Sequence, residues 1–315
     1  MAIPLNIVYS GNTIDVVIPV YNDNPYLEEA LLSIFKQVLP AKWGFHIYVV
    51  DDGSDAPVKL SLSSGSSNKV SVVRIDDNSG CSVARNKGAK AGSGELILFL
   101  DADCSFTHHK VLAFLLEQYI AGFDVCFGQI NAPQGGFWAD YQNAVAKERA
   151  VRFKAGEQSS MTTQIFMVKR KVFDVVGGFD EAYHFGFEDR DLFISLIKHG
   201  ATASLVEEAV VNHNDQLSLG SVTRKLYSTG AKSSVRFIKK HPEEYKRMPY
   251  ANADIRYSRG GLKVLVLLTK PIIWPLVKLL DWTLKKEVLP FFLAGRLVKY
   301  VSGLAYLHGT SAKSK

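Results

Sequence analysis

The sequence predicts an α/β chain: a doubly wound, mostly parallel sheet with helices on both faces, followed by a basic helical tail. Three observations predict it. Apolar strand-like runs alternate with helical patterns from Ile14 to about Val125, the order that βαβ units require. At 315 residues and 47% apolar content, the chain can bury one large α/β core and carry an appendage. Its charge is split: residues 224–315 hold 19 Lys and Arg against 5 Asp and Glu, whereas residues 1–223 hold 18 against 26, giving +14 and −8 within a total of +6. The expected division is residues 1–223 as the α/β domain and residues 224–315 as a basic amphipathic helical region.

Taken in order, Ile14-Asp15-Val16-Val17-Ile18-Pro19-Val20-Tyr21-Asn22 reads as a mostly apolar strand ending in turn formers. A helix over residues 25–37 follows, with Asn24 as its cap and Pro25 at its first position. Phe45 to Val50 forms a second strand running into Asp51-Asp52-Gly53-Ser54, where Gly53 permits a tight turn and the carboxylates stand exposed at the sheet edge. A carboxylate so placed can accept the imide N–H of a uracil ring. Val70 to Ile75 is a third strand. It precedes Asn78-Ser79-Gly80, a small-residue turn opening a helix whose N-terminus suits an anion, with Arg85 as a fixed cation nearby.

The fourth strand, Leu96 to Leu100, carries Asp101-Ala102-Asp103 at its C-terminal end, where open α/β sheets bind ligands. In an extended segment both carboxylates point one way, with Cα atoms roughly 6.6 Å apart, so both can approach one hard cation and the phosphates it carries. Turn or capping chemistry is the structural alternative. Downstream, the spacing of Leu192, Phe193, Leu196 and Ile197 is helical and puts Glu188 and Asp189 near a helix start. Asp191 reads there as a capping group that complements the helix dipole. Residues 131–160 have no readable pattern, and Ser61–Ser67 reads as a surface loop.

The order and spacing of Val17-Ile18-Pro19-Val20-Tyr21-Asn22, Val49-Val50-Asp51-Asp52-Gly53-Ser54, Ala84-Arg85-Asn86, Asp101-Ala102-Asp103, Gly177-Gly178-Phe179-Asp180-Glu181 and Glu188-Asp189 resemble the family 2 glycosyltransferases. These are nucleotide-sugar enzymes of the GT-A fold, and the resemblance covers about residues 14–215. It implies that Pro19, Tyr21 and Asp52 line the nucleoside pocket, with Asp52 accepting from the base, and that Arg85 holds donor phosphate or ribose. By the same resemblance Asp101 acts through ribose or water, and Asp103 ligates a divalent cation, Mn²⁺ or Mg²⁺. His213 then assists at the metal or diphosphate, and Asp189 is the general base of an inverting transfer. The structural alternatives are a strand-ending proline, a core aromatic, a turn aspartate, a surface arginine and a structural histidine.

The Gln-x-x-Arg-Trp motif and flanking membrane spans of the family's processive synthases are missing, so transfer of one sugar at a time is expected. The acceptor implied is a saccharide or lipid-linked intermediate of bacterial surface polysaccharide or glycolipid assembly, with a soluble acceptor as the alternative. Residues 162–170 fit the family's acceptor-side strand only loosely.

Residues 1–13 lack an export pattern, and Cys81, Cys104 and Cys126 have neither an even count nor metal-ligand spacing, so a cytosolic, non-secreted protein is expected. The apolar runs of the tail are cut by Lys270, Lys278, Lys285, Lys286, Arg296 and Lys299 and fall short of the 18 or so residues of a membrane span. Residues 262–307 read as amphipathic helices on the inner face of the cytoplasmic membrane, with a tail packed on the protein as the alternative. Nucleic acid fits poorly beside long aliphatic runs. Two rival readings use the same residues: a haloacid-dehalogenase-type phosphatase with Asp101 as nucleophile, and an inactive membrane-surface scaffold of the same fold.

Overall fold

The computed structural model describes residues 10–22, 25–60, 68–183, 185–257 and 261–312. The expected cap Asn24 and the Ser61–Ser67 loop lie outside these residues. Two compact units emerge: Met1–Pro133, Asn143–Ala182 and Leu192–Asn214 form the first, and Gln134–Gln142, Tyr183–Asp191 and Asp215–Lys315 the second.

The first unit holds an eight-stranded sheet. Its strands are β1 (Ser10–Val20), β2 (Gly44–Asp52), β3 (Val70–Ile75), β4 (Gly94–Leu100), β5 (Cys104–Phe106), β6 (Val125–Asn131), β7 (Ile165–Lys169) and β8 (Ala203–His213). They lie in the order β3-β2-β1-β4-β7-β6-β8-β5. The pairs β1–β2, β1–β4, β2–β3 and β6–β8 are parallel; β4–β7, β6–β7 and β5–β8 are antiparallel. The sheet is therefore mixed and mostly parallel, as expected.

The strands read as near-continuous apolar runs because both faces are covered. Ile14, Val16 and Ile18 of β1 and Leu96, Leu98 and Leu100 of β4 pack on one face against α1 (Leu27–Phe35), before α2 (Cys81–Ala91), and against α3 (Val111–Ile120). Val17, Ile97 and Phe99 point to the other face. There they meet Ala84 and Ala89 of α2, Phe153 of α4 (Gly136–Lys154), Phe173 of α5 (Arg170–Val175), and Leu192, Phe193 and Leu196 of α6 (Glu188–Lys198).

Two local expectations are corrected. The first helix is shorter than residues 25–37, because Pro25 and Tyr26 form a turn before Leu27. Gln37 lies beyond its end and works across the fold: its amide donates to the His108 carbonyl at 2.8 Å and accepts the Leu112 N–H at 3.0 Å, capping α3. The patternless residues 131–160 contain α4, 19 residues long.

The second unit is helical: α7 (Leu219–Ser228), a π-helical turn (Thr229–Ser233), α8 (Ser234–Lys240), α9 (Pro242–Lys246), α10 (Pro249–Asn252), α11 (Gly261–Thr269), α12 (Ile273–Lys285) and α13 (Phe291–Ser311). Its core joins Leu219 to Ile273, Val277, Leu280 and Leu284 of α12 and to Val298, Val301 and Leu304 of α13. Ser218 and Ser221 form a capping box at the start of α7, where the Leu219 N–H also donates to Asp281 at 2.6 Å.

Candidate active site

Because β1, β2 and β4 run parallel, their C-terminal ends meet at one edge of the first unit. Pro19 and the exposed Tyr21 stand at the end of β1, so Tyr21 is no core aromatic. Asp51 and Asp52 close β2, and Asp101 and Asp103 follow β4.

The expectation of exposed carboxylates after β2 is overturned, because both lie within the strand and are buried. Asp51 accepts the N–H groups of Ser54 at 2.9 Å and Val58 at 3.1 Å and pairs with Arg74. Burial opposes its ionisation, but the Ser54, Val58 and Arg74 hydrogen bonds outweigh it and hold its carboxyl below the usual range. Asp52, 4% exposed, accepts the backbone N–H groups of Ser79 and Gly80 at 2.9 Å each and the Asn78 side-chain amide at 3.3 Å. It thus fixes the turn that opens α2. A carboxylate offers about four acceptor positions, and these three donors fill all but one, on Oδ1.

Arg85 is buried, which removes the surface-arginine alternative. Its Nη2 donates to Asp101 Oδ1 at 2.9 Å, and its guanidinium lies 5.3 Å from the Phe179 ring centroid. Beside it, the Asn86 amide accepts the Phe179 N–H at 2.9 Å and donates to the Phe179 carbonyl at 2.8 Å. That clamp is why Ala84-Arg85-Asn86 and Gly177-Gly178-Phe179 belong together. Gly178 has φ +73°, and a Cβ there would stand 2.7 Å from Asn86 Oδ1.

Asp101-Ala102-Asp103 is not extended, as the sequence reading supposed, but a turn closed by the Cys104 N–H on the Asp101 carbonyl at 3.0 Å. The turn separates the two carboxylates: Asp101 goes to Arg85, and Asp103 Oδ2 faces His213 Nε2 at 3.6 Å. Antiparallel pairing of Cys104 with His213 brings β8 to this point. Asp103, Cys104 and His213 each offer a ligand atom within 4.8 Å of the others. Burial disfavours the Asp103 anion, but the His213 hydrogen bond and charge overcome it and hold the carboxyl below its usual range. Of these groups the hard Asp103 oxygen and the His213 imidazole suit Mn²⁺ and the oxygen alone suits Mg²⁺, whereas the soft Cys104 sulfur suits neither.

Asp189 belongs to the second unit, in the first turn of α6, and is half-buried. The preceding Phe187 holds φ +71°, rare for a bulky residue, and its ring stacks on Phe237 with centroids 4.6 Å apart. Asp191 has a structural role: buried, it accepts from His241 Nε2 and Lys240 Nζ at 2.7 Å each.

Two site residues escaped the sequence reading. Cysteine count and spacing do not single out Cys104, although it directly follows Asp103. Gln164, whose amide nitrogen lies 3.2 Å and 3.3 Å from the two His213 ring nitrogens, falls in the 162–170 segment that fits the acceptor-side strand only loosely, and nothing in that fit points to His213.

The sequence profile described as Glycosyl transferase family 2 matches residues 15–177, more than half of the 315-residue chain. The chain belongs to glycosyltransferase family 2. This family 2 chain is similar to an N-acetylglucosaminyltransferase of Bradyrhizobium diazoefficiens, 28% identical over 214 residues that cover 62% of this chain and 44% of the relative. It is also similar to the pre-mycofactocin glycosyltransferase of Mycobacterium tuberculosis, 26% identical over 273 residues, 82% of this chain and 53% of the relative. The chain spans about half the length of these curated relatives.

Its fold matches that of the mannosyltransferase PcManGT from Pyrobaculum calidifontis in complex with GDP-Man and Mn²⁺, with TM-score 0.55 and 19% identity over 94% of this chain and 86% of that one. It also matches GalNAc-T7 with UDP, GalNAc and Mn²⁺, with TM-score 0.51 and 19% identity over 70% and 48%. At such identities the likeness establishes the fold, which is GT-A. Membership of family 2 removes the phosphatase alternative, whose nucleophile Asp101 is engaged by Arg85.

Proposed function

We propose that this family 2 chain transfers a single sugar from a nucleotide sugar, UDP-linked, to an acceptor hydroxyl, with inversion and with a divalent cation. The observation that carries the reading is the edge at β2 and β4, where Asp52, the Arg85–Asp101 pair and the Asp103–Cys104–His213 cluster collect. The free acceptor position on Asp52 Oδ1 supports a base with an imide N–H. Both arginines described at this edge already face carboxylates, Arg74 with Asp51 and Arg85 with Asp101. An incoming diphosphate therefore calls for added positive charge, which supports metal dependence.

Asp103 and His213 would hold the cation, which when bound neutralises the charge that collects on the leaving nucleoside diphosphate. Arg85 orients phosphate or ribose, Asp101 keeps the guanidinium in place, and Pro19 and Tyr21 border the nucleoside. Asp189, by its place in the family pattern, takes the proton from the acceptor hydroxyl as that oxygen attacks the anomeric carbon. A base so used contributes about 100- to 10,000-fold. The acceptor is a saccharide or lipid-linked intermediate of bacterial surface polysaccharide or glycolipid assembly, met at the inner face of the cytoplasmic membrane.

The test is titration calorimetry with a nucleotide-sugar panel, with and without Mn²⁺, on the wild type, Asp103→Ala and Asp189→Asn. One donor should bind in a metal-dependent way, lose that dependence in Asp103→Ala, and bind normally but without transfer in Asp189→Asn. Failure of every donor to bind would favour the inactive scaffold, and full transfer by Asp189→Asn would remove it as the base.

A further inference from the structure

We infer that α11, α12 and α13 of the second unit form a surface that docks on an anionic lipid bilayer, a role that stands independently of the transferase chemistry. Helix α12 has three faces where a helix of a globular core has two. Ile273, Val277, Leu280 and Leu284 enter the core. Lys278, Asp281 and Lys285 make a polar stripe, in which Lys285 pairs with Asp281 at 3.0 Å. Between them runs a third, apolar stripe of Ile272, Leu276 and Leu279 flanked by Trp282, all facing water, with Leu279 60% exposed.

The neighbours on α13 extend the pattern. Both α11 and α12 pack against α13. Leu267 of α11 is 71% exposed and Phe292 of α13 is 67% exposed. Apolar exposure on this scale marks an interface rather than ordinary surface. Charge selects the occupant. Residues 261–312 carry seven Lys and Arg against Asp281 and Glu287 alone, and the basic residues alternate with the exposed leucines and aromatics. A second copy would set like charge against like charge. An anionic bilayer accepts both parts: headgroups meet the lysines while Leu, Phe and Trp enter the acyl boundary. Arg296, 4.1 Å from the Phe292 ring centroid, already covers an aromatic face in the way such amphipathic side chains do. Among the described residues no helix is long and apolar enough to cross a membrane.

The test is co-sedimentation of the full chain with phosphatidylcholine vesicles, with or without about 30 mol% phosphatidylglycerol. Binding should require the anionic lipid, weaken with salt, and shift tryptophan emission to the blue in wild type but not in Trp274→Phe/Trp282→Phe. Each basic residue near the surface contributes about five-fold, so Lys270→Gln/Lys278→Gln should lower the partition coefficient roughly 25-fold. Leu267→Ser/Leu279→Ser/Phe292→Ser changes only exposed side chains, so its fold should persist by circular dichroism while vesicle binding is lost. Binding to neither vesicle, equal binding to both, or a dimer in light scattering that this triple variant dissociates would each overturn the proposal.

Discussion

The buried pair Asp15–Arg170 offers the sharpest test of how the first unit is held together. Arg170, the first residue of α5, sends Nη2 to Asp15 Oδ2 at 2.6 Å and Nε to the Gly94 carbonyl at 2.6 Å, while Nη1 donates to the Ala89 carbonyl. One guanidinium therefore joins β1, the start of β4 and the end of α2, and the Gly94 N–H returns to Asp15 at 2.6 Å. Both side chains are buried, so removing one partner leaves a charge without its counterpart, at about 3–5 kcal/mol. Domains of ordinary stability have only about 5–15 kcal/mol in total. Arg170→Met keeps the stem volume and removes the cation; Asp15→Asn keeps the shape and removes the anion. Each should cost about 3 kcal/mol or more, and the double variant should cost less than their sum by about 2 kcal/mol.

The pH dependence gives the sign. Burial pushes the Asp15 carboxyl above its ordinary 3.8, outweighing the Gly94 N–H and Arg170. The native state thus keeps this proton to higher pH than the unfolded chain, and stability falls as pH rises from 3.8 through the native value. Arg170→Met removes a group that favours the anion, so its cost should rise as pH goes from 3.8 to neutral, above a pH-independent share from the Gly94 and Ala89 carbonyls that lose their donor. Urea unfolding at a series of pH values, read at constant m, measures this. Additivity of the two substitutions within about 0.5 kcal/mol, or a cost of Arg170→Met that does not change with pH, would refute the reasoning.

Three further outcomes are expected. Gly53→Ala should lose about 1–3 kcal/mol in urea unfolding and weaken donor binding, because Gly53 has φ +70° and an added Cβ would stand 2.3 Å from the Asn78 nitrogen in the turn that Asp52 fixes. Asp51 has a native pKa below its ordinary 3.8, so its stabilising share is present above that value and lost as pH falls through the native one; Asp51→Asn should flatten acid unfolding there. Asp191→Ala should lower stability by roughly 1–3 kcal/mol, because the buried carboxylate that His241 and Lys240 face is lost, and thermal melts of this variant measure the loss.

What could be read in advance follows from where each decision is made. Leu96 to Leu100 announces a buried strand by itself, since five consecutive apolar residues need cover on both faces, and Asp101 and Asp103 inherit their place from the strand's end. The turn that separates those two carboxylates was not legible, because it depends on Cys104 pairing with His213 more than a hundred residues on. Asp52 was legible as a carboxylate after a strand but not as a buried one. The N–H groups that satisfy it belong to Ser79 and Gly80, and only the fold brings them to β2. Helix α4 hid for a different reason. Phe137, Trp138 and Tyr141 pack in the core of the second unit and Phe153 in that of the first, so its apolar residues share no single face and no 3.6-residue period emerges.

Asp15 shows how far a sequence can point without naming the answer. Within Ile14 to Val20 it is the one charged residue of a strand covered on both faces, and a carboxylate at such a position must find a cation or remain protonated. Arg170 and the Gly94 N–H pull its carboxyl down while burial pushes it up, and burial prevails. The partner, 155 residues away, stands at the start of a short helix where an arginine would ordinarily be unremarked. An inward-facing charge in a buried strand therefore predicts a buried counter-charge, and it assigns that partner to whichever element the topology lays across the same face. Here that element is α5, which directly follows β7, the antiparallel neighbour of β4. The order β1-β4-β7 thus brings the two charges together, and no local feature near Arg170 could have disclosed it.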